Sequence, residues 1–296
     1  MSFSNSLIEL ISTAGLNVEN LAKIAQSAID EDLSGATDVT SSATIPEEQF
    51  AVAQFSNRKS GVIAGIPVVC AVLEICGITD YKIEHSDGEF VAANTLLLTA
   101  RGKTQAILLA ERSALNLFGH LSGIATLTKS WVDAVADTNV AIRDTRKTTP
   151  GLRELEKYAV RAGGGVNHRF SLADAALIKD NHVLAAGGVA EAFKLVKAKY
   201  PNLPLEVEVD SLQQLREVLE VGAEFVLLDN MSIEECRAAV EIVAGRAKLE
   251  ASGGLILNNA HAYAKTGVDY LAVGALTHSA PVLDIGLDLR MEYLCC

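Results

Sequence analysis

The chain has 296 residues, 49% hydrophobic and 21% charged, an ordinary globular balance that excludes a disordered protein and is long enough for two unequal domains. A formal net charge of −12 excludes nucleic acid or an anionic membrane as a general partner, but leaves room for an anionic small molecule wherever positive charge gathers. Five cysteines (Cys70, Cys76, Cys236, Cys295 and Cys296) have no zinc-type spacing and are odd in number, which reads as thiols in a reducing compartment.

The opening MSFSNSLIELISTAGL lacks the basic start and long apolar run of a secretory signal, so a cytoplasmic protein is expected. Leu7, Leu10 and Ile11, then Leu21, Ile24 and Ala25, recur at helical spacing. Phe50 to Phe55 and Thr95 to Ala100 read as strands, with a buried helix from Pro67 to Ile75 between them. The surrounding apolar stretch, Val62 to Ile78, is broken by Pro67, Glu74 and glycines and is too short to span a bilayer. A long helix is predicted from Thr104 to Leu117, carrying Glu111 and Arg112.

From about residue 140 the texture becomes regular β/α alternation. Strands are predicted at Val140–Ile142, Ala176–Ile178, Leu205–Val209, Phe225–Leu228, Ala247–Ala251 and Tyr270–Val273. Leu212, Leu215, Val218 and Leu219 form an apolar helical stripe ended by Gly222, and Ser232 with Glu235 forms a capping box. No GxGxxG or GxxxxGK[ST] follows a strand, which argues against dinucleotide and P-loop folds. Polar residues instead fall after the strand ends: Asp144 to Lys147, Lys179 and Asp180, Glu208 and Asp210, Asp229 and Asn230, Ser252 and Gly253, and Gly274. Barrel enzymes build their sites at that rim, so an incomplete α/β barrel is expected.

Between Arg143 and Arg169 seven Lys/Arg stand against three acids, a local excess of +4. A solvated helix accounts for Arg153 to Arg161. It does not account for Arg146 and Lys147, just beyond a strand. Two carboxylates on a small ring need planar bidentate donors, and Arg146 and Arg169 are the best candidates, with His168 and Lys179 adding donors. Gly163 to Gly165 read equally as a flexible loop or as a close backbone approach to a ligand. The turns at Ser252-Gly253-Gly254 and Gly274 could cradle a phosphate with backbone N–H groups. Glu208 and Asp229 read either as structural ion-pair partners or as contacts to ribose or a hydrated Mg2+. His85, His120 and His261 read as structural or surface residues, and His278 is ambiguous.

A series of motifs runs in order over most of the chain: EDLSGATDVT (31–40), GVIAG (61–65), AERSALNLFGHLSGIAT (110–126), RDTRKTTPGLRELEKYAVRAGGGVNHR (143–169), IKDNH (178–182), EVEVD (206–210), LLDN (227–230), EASGG (250–254) and VGALTHS (273–279). With these the chain resembles the decarboxylating quinolinate phosphoribosyltransferases. The resemblance implies an N-terminal open α/β sandwich at 1–118, a seven-stranded α/β barrel at 119–279, a tail at 280–296 packing back on the first domain, and a homodimer or assembly of dimers with shared sites. It implies that quinolinate meets Arg146, His168, Arg169 and Lys179 with Arg112 from the neighbouring subunit. Phosphoribosyl pyrophosphate (PRPP) would meet Lys147, Glu208 and Asp229, and its 5-phosphate Ser252, Gly253, Gly254 and Gly274, with Mg2+ as cofactor. The catalytic set would be Lys147, Lys179, Glu208 and Asp229. Three rivals stand beside it: a paralogue with another substrate, such as the molybdenum-associated ones; a barrel lyase forming a Schiff base on Lys179; and a non-catalytic metabolite-binding protein.

Overall fold

In the computed structural model residues 3–291 are described; Cys295, Cys296 and the last part of the expected tail lie outside them. The elements in chain order are α1 (Asn5–Thr13), α2 (Val18–Leu33), α3 (Val39–Thr44), β1 (Phe50–Asn57), β2 (Gly61–Val62), α4 (Ile66–Ile75), β3 (Asp80–Ile83), β4 (Phe90–Val91), β5 (Leu96–Lys103) and α5 (Thr104–Ala134). Then follow β6 (Ala141–Arg143), α6 (Arg153–Ala162), β7 (Ala176–Ile178), α7 (Asp180–Ala186), α8 (Val189–Lys199), β8 (Leu205–Val209) and α9 (Leu212–Glu220). The series ends with β9 (Phe225–Asp229), α10 (Ile233–Val243), β10 (Lys248–Ser252), α11 (Leu257–Ala264), β11 (Tyr270–Ala272), α12 (Ala275–His278) and β12 (Ile285–Met291).

The chain divides into two compact units. One runs through Leu127 and takes in Thr149–Gly163 and the chain from Ser279; the other is Thr128–Thr148 with Gly164–His278. These limits differ from 1–118 and 119–279 for two reasons. First, the helix expected to stop at Leu117 continues to Ala134 as α5, because no proline or cap ends it. Gly123 within it is a close-approach residue: a Cβ there would stand 2.1 Å from the Pro281 carbonyl oxygen. Second, α6 is not the solvated helix its charges suggest. Leu155 to Val160 are buried, Glu156 and Lys157 included. Glu156 accepts from the Thr149 N–H at 3.0 Å and lies 2.8 Å from His120 Nε2, while Glu154 accepts from the Asn17 N–H at 2.7 Å.

The first unit is built on a four-stranded antiparallel sheet ordered β12-β1-β5-β3, with β2 and β4 paired separately. Alternate residues of β1, Ala51, Ala53 and Phe55, are buried, as a period of two requires. Helix α4 is apolar all round, Ile66 to Leu73 being buried, and α1 and α2 pack against it through Leu7, Ile11, Leu21 and Ala25. The C-terminal strand β12 pairs with β1 along seven residues, Ala51↔Met291 to Asn57↔Ile285.

The second unit is a six-stranded parallel sheet, β6-β11-β10-β9-β8-β7, with helices following its strands. The last strand, β11, pairs with the first, β6, at Tyr270↔Ala141 through Ala272↔Arg143, so the order curls back on itself. Where seven strands were implied, the seventh position is a single bridge, Arg143↔Val166. Gly163-Gly164-Gly165 just before it disfavours a longer strand, since glycine loses the most backbone freedom on ordering and has no side chain to pack. The described strands therefore do not form a continuously paired barrel. Ser211 and Ser232 cap α9 and α10, Glu235 completing the predicted box.

Candidate active site

The strands of the parallel sheet are two-faced. Val207 and Val209, Val226 and Leu228, Leu249 and Ala251, and Ile142 are buried, as a face covered by helices requires. The alternate residues are Glu206 and Glu208 in LEVEV, Leu227 and Asp229 in FVLLD, Glu250 and Ser252 in KLEAS, and Arg143 beside them. A period of two thus sends charge to a single face, shallow at the strand ends and deep below them.

The shallow layer opens into a cavity of ≈ 670 Å³ at the C-terminal ends of the strands. Arg146, Lys147, His168, Arg169, Lys179, Glu208, Asp229, Ser252, Gly253 and Gly254 all line it. Two expected residues do not. Gly274 lies beside it, where a Cβ would stand 3.0 Å from Lys147 Cδ, and Arg112 is an exposed residue of α5 in the first unit. His278, on α12, is exposed and outside the lining; Asn230, Thr145 and Asp180 are additional lining residues.

Backbone geometry holds these side chains in place. Thr277 Oγ1 donates to the Lys147 carbonyl at 2.7 Å, and the Lys147 N–H donates to Thr145 Oγ1 at 3.0 Å, fixing the loop after β6. His182 of the IKDNH motif accepts the Lys179 N–H at 3.0 Å and starts α7 there. Lys179 Nζ reaches Glu208 at 2.8 Å, and Asn230 Nδ2 donates to Asp229 at 2.8 Å. Gly253 has φ +85, and a Cβ on it would fall 2.1 Å from Asn230 Oδ1, so the turn after β10 accepts glycine only. Arg169 Nη1 donates to the Ala175 carbonyl at 2.9 Å. The Nε atoms of Arg146 and Arg169 are buried without a partner. Burial, then the nearby positive charge of Arg146, lowers the Arg169 pKa. Two guanidiniums set together in this way favour an anion between them.

The deep layer was not anticipated. His168 is 7% exposed, and its Nε2 lies 2.9 Å from Glu206 and 3.6 Å from Glu250. Arg143 Nη1 donates to Glu250 Oε2 at 2.6 Å and lies 4.0 Å from Glu206, its guanidinium stacked 5.0 Å from the Phe225 ring centre and 4.9 Å from that of Tyr270. Burial pushes Glu206 up to about 7, against the pull of Arg143 and Arg169. Burial, and then the charge of Glu206, does the same to Glu250, also to about 7. The alternation of glutamate with aliphatic residues in LEVEV was the available signal for this layer.

A parallel α/β sheet that gathers cations and two carboxylates at its C-terminal rim defines an enzyme of the rim-site class, built for an anionic small molecule. Comparison with known proteins specifies it further. Residues 38–122 match the model for the quinolinate phosphoribosyl transferase N-terminal domain, and residues 124–288 match that for its C-terminal domain. The chain is 52% identical over 268 residues to nicotinate-nucleotide pyrophosphorylase (carboxylating) of Mycobacterium leprae, covering 88% of this chain and 94% of that one. It is 39% identical to the probable enzyme of that name from Bacillus subtilis, covering 94% and 96%. The structure of the nicotinate-nucleotide pyrophosphorylase from Francisella tularensis superposes with a TM-score of 0.89 at 36% identity, over 93% of this chain and 98% of that one. The chain belongs to the quinolinate phosphoribosyltransferase family.

Proposed function

We propose that this enzyme transfers a phosphoribosyl group from PRPP to quinolinate and releases pyrophosphate and carbon dioxide, giving nicotinate mononucleotide for NAD biosynthesis. The observation that carries the reading is the pair Arg146 and Arg169, which line one cavity with their Nε atoms buried and unpartnered. A planar dicarboxylate matches two guanidinium forks better than it matches ammonium groups. Lys179, beside Glu208, adds a further cation, and Ser252, Gly253 and Gly254 offer a backbone cradle for the 5-phosphate.

The chemistry asks the protein for positioning and electrostatics. The quinolinate ring nitrogen attacks the ribose anomeric carbon as the bond to pyrophosphate breaks, so Lys147 serves best by neutralising the leaving group. Loss of the adjacent carboxylate as carbon dioxide follows, because the positive ring nitrogen stabilises the electron pair left on the neighbouring ring carbon, which then takes up a proton from solvent. Glu208 and Asp229 both line the cavity and would hold a Mg2+ ion that keeps most of its waters, and the ion would supply charge neutralisation to pyrophosphate. Lys179 is ion-paired, whereas a Schiff-base lyase needs a free amine, so that rival is disfavoured. We further propose a homodimer in which the partner subunit's Arg112 completes the quinolinate site. A cytoplasmic setting accords with free, protonated thiols at Cys70, Cys76 and Cys236, and among the described residues no helix is long and apolar enough to cross a membrane.

The test is incubation of the protein with quinolinate, PRPP and Mg2+. The expected product is nicotinate mononucleotide with one equivalent each of pyrophosphate and carbon dioxide. Turnover of nicotinate as good as that of quinolinate, or covalent trapping by borohydride in place of nucleotide formation, would overturn the proposal.

A further inference from the structure

Helix α6 begins without a side-chain cap, Leu152 offering no polar atom to its first turn. Glu156 lies in that turn, where a carboxylate ordinarily serves the helix's own N-terminus. Its oxygens are used elsewhere. Oε2 accepts the Thr149 N–H at 3.0 Å, and His120 Nε2 of α5 lies 2.8 Å from Oε1. A carboxylate only accepts, so the His120 ring hydrogen sits on Nε2 and donates to it. Glu156 is fully buried, and all three residues belong to the first unit. The other polar group of Thr149 is held as well. Its carbonyl accepts the Leu152 N–H at 3.0 Å across Pro150 and Gly151, and Gly151 has φ +85, the pattern of a type II turn. Both backbone groups of Thr149 are therefore fixed, two residues beyond Lys147.

A carboxylate taken wholly out of water costs desolvation that an apolar residue in the same place would avoid. The burial is better explained by what the carboxylate holds. The chain leaves the second unit after Thr148 and re-enters it at Gly164, so only Thr148 separates the anchored Thr149 from Lys147. We infer that Glu156, oriented by His120, is a positioning residue for Lys147. The inference rests on the reading of Lys147 as the group that neutralises the departing pyrophosphate. On the strand side, the Lys147 N–H bonds to Thr145 and its carbonyl to Thr277, which encloses Arg146 in a local turn. Glu156 supplies the anchor on the other side, through Thr149. An ammonium that must meet charge as it appears on a leaving group acts well only when placed to within about 0.5 Å, and anchors on both sides of its backbone supply that restraint.

Steady-state kinetics on the full-length enzyme test this with two variants. Glu156→Met keeps the length of the side chain and removes both acceptor oxygens. Glu156→Gln can still accept from Thr149, its amide nitrogen facing His120 in the other ring tautomer. Glu156→Met is expected to lower kcat/KM for PRPP between about tenfold and 10²-fold, with the quinolinate KM unchanged. Glu156→Gln is expected to stay within about threefold of wild type, because the bond to Thr149 survives. In a Lys147→Ala background, Glu156→Met is expected to add nothing, within about twofold. Independent, multiplying losses would overturn the inference, as would a glutamine variant no better than the methionine one. A matching rise in the quinolinate KM would overturn it too, since that marks a general disturbance of the site. If Glu156→Met does not fold, His120→Phe enters the same cycle with the same outcomes. The underlying reading fails separately, if Lys147→Ala leaves kcat/KM for PRPP unchanged.

Discussion

Arg146 and Glu250 show how one side chain's chemistry sets a measurable outcome. A lysine at 146 would keep the charge and lose the fork, and a point charge cannot replace two parallel donors. Arg146→Lys and Arg146→Ala are therefore expected to raise the quinolinate KM by similar factors, each roughly tenfold or more, in steady-state assays. Glu250 makes a prediction about stability. Its folded pKa of about 7 lies above the ordinary 4.5, so the folded state holds more protons than the unfolded one between those values. Its contribution to stability is accordingly full below about 4.5 and is lost as pH rises to about 7. Glu250→Gln mimics the protonated form and should gain stability relative to wild type across that window. Melting temperatures recorded every half unit of pH would show the two proteins converging at the acid end; parallel curves would refute the assignment. The candidate cations at the rim were legible residue by residue, since Arg146, Lys147 and Lys179 stand beyond apolar runs and Arg169 closes the segment after the Gly163–Gly165 run. Glu206 and Glu250 were not, because each lies inside a run whose neighbours are aliphatic, and a net apolar run hides a charged face; Arg143, between Ile142 and Asp144, reads only as one more member of the basic segment.

At the scale of elements, α5 carries a conflict between propensity and packing. Replacing a helical glycine with alanine ordinarily gains about 1 kcal/mol. At Gly123 the new Cβ would meet the Pro281 carbonyl oxygen at 2.1 Å, and backbone cannot swing aside as a side-chain tip can. Overpacking of this kind costs about 1–3 kcal/mol, so it should outweigh the propensity gain. Gly123→Ala is expected to lower the melting temperature; an unchanged or higher value would mean that the segment at Pro281 yields freely. The parallel strands and helices α9 and α10 were legible because each is a local pattern, the helices with their own stop and start signals. Strand β12 and the two-residue pair β2 and β4 were not, since β12 is defined by its partner β1 at the far end of the chain and the others are too short to show a period. The burial of α6 was hidden for the opposite reason: its charges look solvated until His120, Thr149 and Asn17 are brought to its glutamates.

At the scale of the whole molecule, the proposed dimer makes a prediction that no single chain can satisfy. Assayed at a quinolinate concentration well below their raised KM, Arg112→Ala and Arg146→Ala should each retain little activity. Mixed in equal amounts and allowed to exchange, half the dimers become hybrids, and each hybrid holds one site with both arginines intact. Roughly a quarter of wild-type activity should return. No recovery despite exchange confirmed by mass spectrometry would place Arg112 in its own subunit's site or outside the reaction. The pairing of β12 with β1, and of β11 with β6, also has a consequence for how the protein is born. Each sheet joins an early strand to a late one, so neither can be completed while the ribosome is still reading the middle of the message. With elongation at about 5–20 residues per second, β1 waits on the order of tens of seconds for β12. During that interval a strand edge stands exposed on the nascent chain. Holding chaperones should therefore engage the growing polypeptide until its last strand emerges, and an early stop codon before Ile285 should be more harmful than the loss of one surface strand suggests.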